Sequence, residues 1–214
     1  MEDIVLIGGG GHCRSCIDVI ETENKFRIAG IVDIKEKKGT RILGYEIFGC
    51  DEDLPDLTSK YKNFMITVGQ VGLSNKRKEL FESLRKYNIS FPVIVSSHAY
   101  VSRHAHISEG TIIMYGVVIN AGAKVGMNCI INTSSLIEHD AIIGDHCHIS
   151  TGSIVNGECR IGEGSLIGSN SVINQCITIP ENTIIGSGSV VIETISEKGT
   201  YAGNPARPII RKIK

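Results

Sequence analysis

A six-residue period runs through the C-terminal half of the chain. From position 101 to position 191 every sixth residue is Val or Ile, and no residue is inserted or deleted across the run. These positions are Val101, Ile107, Ile113, Ile119, Val125, Ile131, Ile137, Ile143, Ile149, Val155, Ile161, Ile167, Ile173, Ile179, Ile185 and Val191. Such a period fits neither an amphipathic helix nor an alternating strand. It predicts a parallel β-helix built from hexapeptide repeats.

The residues between these positions also repeat. The fourth residue after each Val or Ile is mostly small, as at Ala141 and Ser153, and the residue directly after the Val or Ile is often Gly or Asn. Three hexapeptides make one triangular coil with three short strands and three corners, so the run predicts about five stacked coils. We expect the branched residues to fill the interior, and Gly and Asn to supply the unusual backbone angles of the corners.

Residues 1 to 95 follow a different pattern. Apolar segments at 4–7, 28–32 and 64–68 are predicted to be buried strands, and helices are predicted from His12 to about Glu23 and from about Leu73 to Tyr87. Strands that alternate with helices predict a small parallel α/β sheet. We therefore expect two domains, a Rossmann-like lobe over residues 1–95 and a β-helix with a C-terminal tail over residues 96–214.

A candidate ligand site lies at the carboxyl ends of the predicted strands, where parallel sheets bind their ligands. Gly8–Gly11, Asp33 and Gly69 all follow strands directly. Glycines let a backbone approach a phosphate, and the start of the following helix favours an anion. The dinucleotide fingerprint is incomplete, because Cys13 stands at its third glycine position. A mononucleotide or nucleotide-sugar site is therefore favoured over an NAD site, with a plain tight turn as the alternative.

Composition excludes several classes of function. The chain has 22 basic and 23 acidic residues, without the basic stripe that nucleic-acid binding requires. No apolar run has the length of a membrane helix, and the apolar stretch at 4–7 is too short for a signal peptide. Seven cysteines, an odd number, favour reduced thiols. We expect a cytoplasmic protein that binds neither nucleic acid nor membrane.

Cys13 and Cys16 form a C-x-x-C motif near the start of the first predicted helix. Such a location lowers the pKa of a thiol and suits redox chemistry, and with His12 the pair would offer three ligands to zinc. The predicted β-helix argues against a thioredoxin-type fold around this motif. Both roles remain alternatives to a structural one.

The histidines of the middle coils are the candidates for chemistry. His139 is expected to point outward, and it is flanked by Glu138 and Asp140. A carboxylate bonded to one ring nitrogen fixes the tautomer and raises the basicity of the other nitrogen, as a general base requires. A solvated surface histidine is the alternative, for His139 as for His148. A metal site is disfavoured, because His146 and His148 would diverge and no clear third ligand follows.

Three segments resemble a known family. The stretch Ile131-Asn-Thr-Ser-Ser-Leu-Ile-Glu-His-Asp-Ala-Ile-Ile-Gly-Asp-His-Cys-His-Ile-Ser150 resembles the sugar O- and N-acetyltransferases of the left-handed β-helix superfamily. The more similar group comprises the sialic acid O-acetyltransferases and the UDP-4-amino-sugar N-acetyltransferases of bacterial glycan synthesis. Its N-terminal lobe is similar to Leu6-Ile-Gly-Gly-Gly-Gly-His12, and the superfamily's ending is similar to Tyr201-Ala-Gly-Asn-Pro-Ala206.

The resemblance implies a homotrimer of left-handed β-helices with acetyl-CoA in the groove between neighbours. It implies that His139 is the general base and that Asp140 raises the basicity of His139. By the same resemblance His148 contacts the acetyl donor. Ser169 and Ser187 align with donor contacts that the family makes largely through its backbone.

The resemblance also implies where the acceptor binds. In the N-terminal lobe Gly10, Gly11 and His12 would hold the phosphates of a nucleotide sugar. Asp33 would hold the nucleoside, with Gly69 nearby. This makes the lobe, residues 1–95, a nucleotide-sugar-binding domain and the remainder the acetyltransferase domain.

These expectations combine into one function: an acetyl-CoA-dependent N-acetyltransferase that acts, without a metal, on the 4-amino group of a nucleotide-linked amino sugar. UDP is the expected nucleotide, although Ile34 stands where UDP-sugar enzymes can carry a second acid. The alternatives are O-acetylation of a sialic-acid-like sugar, a metal-dependent lyase and a non-catalytic β-helix that only binds.

Overall fold

A computed structural model gives the fold, and it describes residues 1–72 and 75–209. The chain divides into two compact units. The first comprises Met1–Gly69 and Asn75–Ser97, and the second comprises Gln70–Ser74 and His98–Lys214. Within the described residues no helix is both long enough and apolar enough to cross a membrane.

The first unit is built on a five-stranded sheet. Its strands are β1 (Glu2–Ile7), β2 (Phe26–Val32), β3 (Arg41–Ile42), β4 (Tyr45–Gly49) and β5 (Asn63–Ile66). Their order across the sheet is β3-β4-β2-β1-β5. The strands β4, β2, β1 and β5 are parallel, and β3 pairs antiparallel with β4. The carboxyl ends of β1, β2 and β5 therefore lie side by side, as predicted for the ligand site.

Three α-helices accompany this sheet. They are α1 (Gly11–Glu23), α2 (Leu54–Lys60) and α3 (Lys76–Leu84), and a short strand β6 (Ile94–Val95) follows them. The buried side of α1 carries Cys13, Cys16, Ile17 and Ile20. The helix ends where Asn24 takes a left-handed backbone with φ of 57° and donates its N–H to the Ile20 carbonyl.

Part of this unit was not foreseen from the sequence. The structure forms a hairpin and a helix over residues 41–60, where no element was predicted. Strand β3 has only two residues, and the five residues of β4 do not alternate strictly between apolar and polar. The predicted start of the third helix at Leu73 lies outside the described residues, and the described helix ends at Leu84 rather than Tyr87.

The second unit is the parallel β-helix that the period predicted. Sixteen two-residue strands follow one another at intervals of six residues, and the tail adds two more. The strands are β7 (Tyr100–Val101), β8 (His106–Ile107), β9 (Ile112–Ile113), β10 (Val118–Ile119), β11 (Lys124–Val125), β12 (Ile130–Ile131), β13 (Leu136–Ile137), β14 (Ile142–Ile143), β15 (His148–Ile149), β16 (Ile154–Val155), β17 (Arg160–Ile161), β18 (Leu166–Ile167), β19 (Val172–Ile173), β20 (Thr178–Ile179), β21 (Ile184–Ile185), β22 (Val190–Val191), β23 (Thr200–Ala202) and β24 (Arg207–Pro208).

Three faces enclose the interior. The first face contains β7, β10, β13, β16, β19 and β22, the second β8, β11, β14, β17 and β20, and the third includes β9, β12, β15, β18 and β21. Each residue pairs with the residues eighteen positions before and after it, as Ile137 does with Ile119 and Val155. Every repeat position except Val101 and Ile107 is buried. The repeat therefore forms the core, as expected from its branched residues.

The small residues beside this core tie successive coils together. The hydroxyl of Ser153 donates to the Gly168 carbonyl at 2.7 Å, and the thiol of Cys147 lies 3.1 Å from the Gly162 carbonyl. Burial raises the pKa of the Cys147 thiol well above its usual range. Cys147 is therefore a neutral residue of the core.

The expected reason for the glycines of the repeat is wrong in one respect. From Ile107 to Ile185 the left-handed backbone lies three residues after each Val or Ile of the repeat, as at Asp140 with φ of 60°, and not at the position directly after it. The glycines at that earlier position serve close packing between coils. A Cβ on Gly144 would lie 2.7 Å from the backbone nitrogen of Glu163 on the next coil.

Each of the three corners is a column of two-residue turns. Corner 1, between the first and second faces, includes residues 121–122, 139–140, 157–158 and 175–176. Corner 2, between the second and third faces, contains 109–110, 127–128, 145–146, 163–164 and 181–182. Corner 3, between the third and first faces, contains 115–116, 133–134, 151–152, 169–170 and 187–188.

Candidate active site

His139 and Asp140 form a hydrogen-bonded pair at corner 1. The Nδ1 atom of His139 lies 2.9 Å from Oδ2 of Asp140, and 53% of the His139 side chain is exposed. A carboxylate can only accept, so this contact places the ring proton on Nδ1 and leaves the lone pair of Nε2 available. The two residues predicted to act together are thus in direct contact.

The surroundings of His139 make its ring more basic. The hydrogen bond with Asp140 raises the pKa of His139 above its ordinary value, against a smaller opposing effect of desolvation, and the charges of Asp140, Glu138 and Glu158 add to the rise. Glu138 is itself held in place, because the amide of Asn120 donates to its Oε2 at 2.8 Å.

The other edge of the His139 ring lies against the next coil. A Cβ built on Gly157 would be 2.7 Å from Nε2 and 2.8 Å from Cε1 of His139. Glu158, the residue after Gly157, donates its backbone N–H to the His139 carbonyl at 3.1 Å. Nε2 of His139 therefore faces the backbone of residues 157 and 158. The sequence pattern did not indicate this contact.

His148 lies on the third face rather than at corner 1. Its side chain is buried, with Nδ1 at 3.1 Å from the Gln70 carbonyl and Nε2 at 3.2 Å from Nδ2 of Asn132. Nδ1 therefore donates to the carbonyl, and Nε2 accepts from the amide. The amide of Gln70 in turn lies 3.4 Å from the Gly164 carbonyl. The predicted donor contact is thus covered by the segment that begins at Gln70.

Ser169 and Ser187 lie one above the other at corner 3. The hydroxyl of Ser169 is 2.9 Å from that of Ser150, and its carbonyl accepts the N–H of Gly188. Ser187 is exposed. Within one chain these residues are separated from His139 by a whole face. The single β-helix therefore does not bring the predicted base and the predicted donor contacts together.

The glycine-rich turn of the first unit forms an open cradle at the start of α1. Gly8 has φ of 108°, and a Cβ there would overlap Val68, so that only glycine fits. Apart from chain neighbours and the backbone of α1 itself, no atom of the described residues lies within 4 Å of the places where Gly10 and Gly11 would carry a Cβ. Space therefore opens beside the first backbone N–H groups of α1, as anion binding at a helix start requires.

Asp33 is fixed beside this turn. Its Oδ2 accepts the N–H of Gly9 at 2.7 Å and the ammonium of Lys37 at 2.9 Å, and its Oδ1 accepts the N–H of Ile34 at 2.7 Å. Burial raises the pKa of Asp33, but these hydrogen bonds outweigh it and bring the pKa below its ordinary value. Three of about four acceptor positions of the carboxylate are therefore occupied.

His12 and Gly69 meet at the other side of the turn. A Cβ on Gly69 would lie 3.2 Å from Cβ of His12, an approach closer than most side chains tolerate. The structure thus brings Gly10, Gly11, His12, Asp33 and Gly69 to one edge of the sheet.

The alternatives raised for the cysteines and histidines gain no support from the geometry. Burial raises the pKa of Cys13 to about 11 and raises that of Cys16 further, the opposite of the lowered pKa that was expected at the start of a helix. His146 lies at corner 2 with Nδ1 at 2.9 Å from Nδ2 of Asn128. No three His, Cys, Asp or Glu side chains are grouped as metal ligands in residues 1–72 and 75–209.

Two family models match separate parts of the chain. Residues 3–84 match the PglD N-terminal domain, and residues 158–193 match the bacterial transferase hexapeptide, six repeats. No curated protein sequence matches the chain.

Solved structures match almost the whole chain. A perosamine N-acetyltransferase from Caulobacter crescentus, in complex with CoA and GDP-perosamine, is 29% identical with a TM-score of 0.90, over 98% of this chain and 97% of that one. The acetyltransferase domain of PglB from Neisseria gonorrhoeae, in complex with acetyl coenzyme A, is 27% identical with a TM-score of 0.88, over 97% and 99%. WeeI from Acinetobacter baumannii shares the fold at 23% identity, with a TM-score of 0.84 over 98% and 100%.

These matches confirm the resemblance read from the sequence and the expected fold class. The chain combines an α/β N-terminal lobe with a left-handed β-helix of hexapeptide repeats. Two residues of its candidate site escaped the sequence reasoning, Gly157 and Glu158. Their signal was the eighteen-residue repeat, which places them directly beyond His139 and Asp140.

Proposed function

We propose that this chain, an acetyl-CoA-dependent enzyme of the left-handed β-helix sugar acetyltransferases, transfers an acetyl group to the 4-amino group of a nucleotide-linked amino sugar. The observation that carries the proposal is the pair formed by His139 and Asp140, with Nδ1 bonded to the carboxylate and Nε2 left to accept a proton. The similarity to an N-acetyltransferase that holds CoA and GDP-perosamine supports the amine as acceptor.

In the proposed reaction the acceptor amine attacks the thioester carbonyl of acetyl-CoA directly. As the C–N bond forms, Nε2 of His139 takes a proton from the amine. The C–S bond then breaks, and the proton passes to the departing CoA thiolate. Asp140 stabilises the imidazolium that exists between these steps, and an amine held beside a thioester gains from proximity.

The separation of His139 from Ser169 and Ser187 fits a site that two chains share. Corner 1 of one β-helix would supply the base, and corner 3 of its neighbour would supply donor contacts. Acetyl-CoA would lie in the groove between them, in a homotrimer. Gln70 and Asn132 contact both ring nitrogens of His148. His148 would therefore contact acetyl-CoA only through the part of its ring that lies at the edge of the third face.

The N-terminal lobe would bind the nucleotide of the acceptor. Gly10, Gly11 and His12 would hold its phosphates, and the remaining acceptor position of Asp33 suits a ribose hydroxyl or a base N–H. Gly69 would border the same space. UDP is the nucleotide that we propose, and GDP is the second candidate because a solved relative binds GDP-perosamine.

The test is a direct assay of acetyl transfer with and without the base. The purified chain is incubated with acetyl-CoA and UDP- or GDP-linked 4-amino sugars, and with free sialic acid. Amide formation on a nucleotide sugar supports the proposal, and ester formation on sialic acid would favour the O-acetyltransferase alternative. The change His139→Ala should lower turnover by about 10²-fold or more, while leaving CoA binding intact.

A further inference from the structure

Corner 1 differs from the other two corners in the residues that hold its left-handed backbone. At corners 2 and 3 these residues are mainly Gly and Asn, which adopt this conformation most readily: Gly110, Asn128, His146, Gly164, Asn182, Gly116, Ser134, Gly152, Asn170 and Gly188. At corner 1 they are Gly122, Asp140, Glu158 and Cys176. Glutamate rarely adopts φ of 60°, so the backbone at Glu158 is strained.

Glu158 directly follows Gly157, the residue that borders Nε2 of His139. Since Nδ1 of His139 is bonded to Asp140, a substrate can reach the ring only at Nε2, which lies against Gly157. Glu158 is the next residue, and its N–H is bonded to the His139 carbonyl. Its side chain is exposed at the same corner, one coil beyond Asp140.

The carboxylates around His139 differ in what they already hold. Asp140 contacts the imidazole, and Glu138 accepts hydrogen bonds from Asn120 and from the backbone of His139. The carboxylate of Glu158 has no hydrogen bond or ion pair with any residue in the described ranges 1–72 and 75–209. Its charge acts on His139, as do those of Asp140 and Glu138. One unpaired anion therefore borders the acceptor's approach.

We infer that Glu158 binds the ammonium form of the acceptor and so selects an amine over a hydroxyl group. The inference rests on the proposed function. The acceptor arrives as R–NH₃⁺ opposite the Glu158 carboxylate and releases one proton to solvent as it moves onto Nε2. The neutral amine then attacks the thioester carbonyl of acetyl-CoA. Its second proton passes to Nε2 of His139 and from there to the CoA thiolate. A hydroxyl acceptor carries no charge and gains nothing from Glu158.

A matched pair of ligands tests this selection. We compare the KM of a nucleotide-linked 4-amino sugar with the inhibition constant of its 4-hydroxy counterpart, in wild type and in Glu158→Gln. The substitution should raise the KM of the amine about two- to fivefold, the range of an exposed charge pair, and leave the hydroxy analogue unchanged. The difference should shrink as salt is added. Glu181→Gln, an exposed change of the same charge at corner 2, serves as control.

A second variant separates binding from backbone strain. Glycine tolerates φ of 60°, so Glu158→Gly should keep or raise the melting temperature and still raise the KM of the amine. An unchanged KM in both variants, or equal weakening of both ligands, would overturn the inference. If the wild type acetylates only hydroxyl groups, the proposed function and this inference fail together. If it acetylates amines and Glu158→Gln leaves the KM of the amine unchanged, only this inference fails.

Discussion

The imidazole of His139 lies against Gly157 on the next coil, so closely that a Cβ on Gly157 would come within 2.7 Å of Nε2. Nε2 of His139 is therefore backed by main chain rather than by a side chain. This contact fixes one side of the ring, and the hydrogen bond to Asp140 fixes the other. Together they orient the lone pair of Nε2 before any substrate arrives.

The contact predicts that residue 157 has to be glycine. In Gly157→Ala the methyl group would displace the imidazole and break its alignment with Asp140, and we expect kcat to fall about tenfold or more. The fold should persist, because the exposed ring can move aside. Steady-state kinetics with acetyl-CoA and a thermal melt measure both effects. Gly199→Ala is the control, since a Cβ there meets only Tyr201 at 3.5 Å. Full activity in Gly157→Ala would contradict the placement of the base.

We expect Asp140 to set the pH range of the proposed reaction. The pKa of His139 is raised chiefly by the hydrogen bond that its Nδ1–H donates to Asp140, so the acid limb of the wild-type rate should lie above that of an ordinary histidine. The base works only when unprotonated, and the rate therefore rises as pH passes this pKa. In Asp140→Asn the limb should move to lower pH while the plateau falls about tenfold. Asparagine suits the left-handed backbone at this position.

A pH profile of kcat/KM for both proteins measures this shift. His139→Ala should show no such limb at all. An acid limb that stays in place in Asp140→Asn would contradict the assigned pair.

We expect Asp33 to affect the binding of the proposed nucleotide-sugar acceptor and not that of acetyl-CoA. Asp33→Asn would set an amide NH₂ against one of the N–H donors of Gly9 and Ile34, and it would remove the ion pair with Lys37. We expect the KM of the nucleotide sugar to rise about tenfold, because the turn at Gly9 loses a partly buried hydrogen bond. The KM of acetyl-CoA should not change. Asp56→Asn, an exposed change on α2, is the matched control, and an equal rise in both KM values would refute a separate acceptor lobe.

The stability of the β-helix depends on its branched interior. Ile149 is fully buried and is paired with Ile131 and Ile167 on the neighbouring coils. Ile149→Ala should lower the free energy of unfolding by about 2–5 kcal/mol. Ile192→Ala is the control, because Ile192 is 50% exposed. It should change the free energy of unfolding by no more than about 0.5 kcal/mol. Urea denaturation of both variants tests the difference, and equal losses would count against this account of the core.

Much of the fold could be read from the chain because its coils obey one rule. Each interior position needs a branched side chain of nearly constant size, and a single inserted residue would break the register. The position of the left-handed backbone could not be read in the same way. Glycine serves both for close approach, as at Gly144, and for positive φ, as at Gly122, and the sequence does not separate the two uses.

The candidate site was only partly accessible to such reasoning. His139 and Asp140 are adjacent in sequence, so their contact needed no long-range information. The cover over His148 depends on Gln70, which is 78 residues away. No local pattern encodes such a contact. Glu158 was missed because an exposed glutamate looks ordinary until its backbone angle is known.

The pairing of Ile137 with Val155 shows that the column repeats itself at each full turn. A whole coil can therefore be gained or lost without moving any remaining side chain to a different face of the β-helix. An added coil beyond residue 158 would lengthen the surface proposed to bind acetyl-CoA. It would leave His139, the proposed proton acceptor, in its present position. The length of such a β-helix can therefore change without altering the orientation of the side chains at any corner.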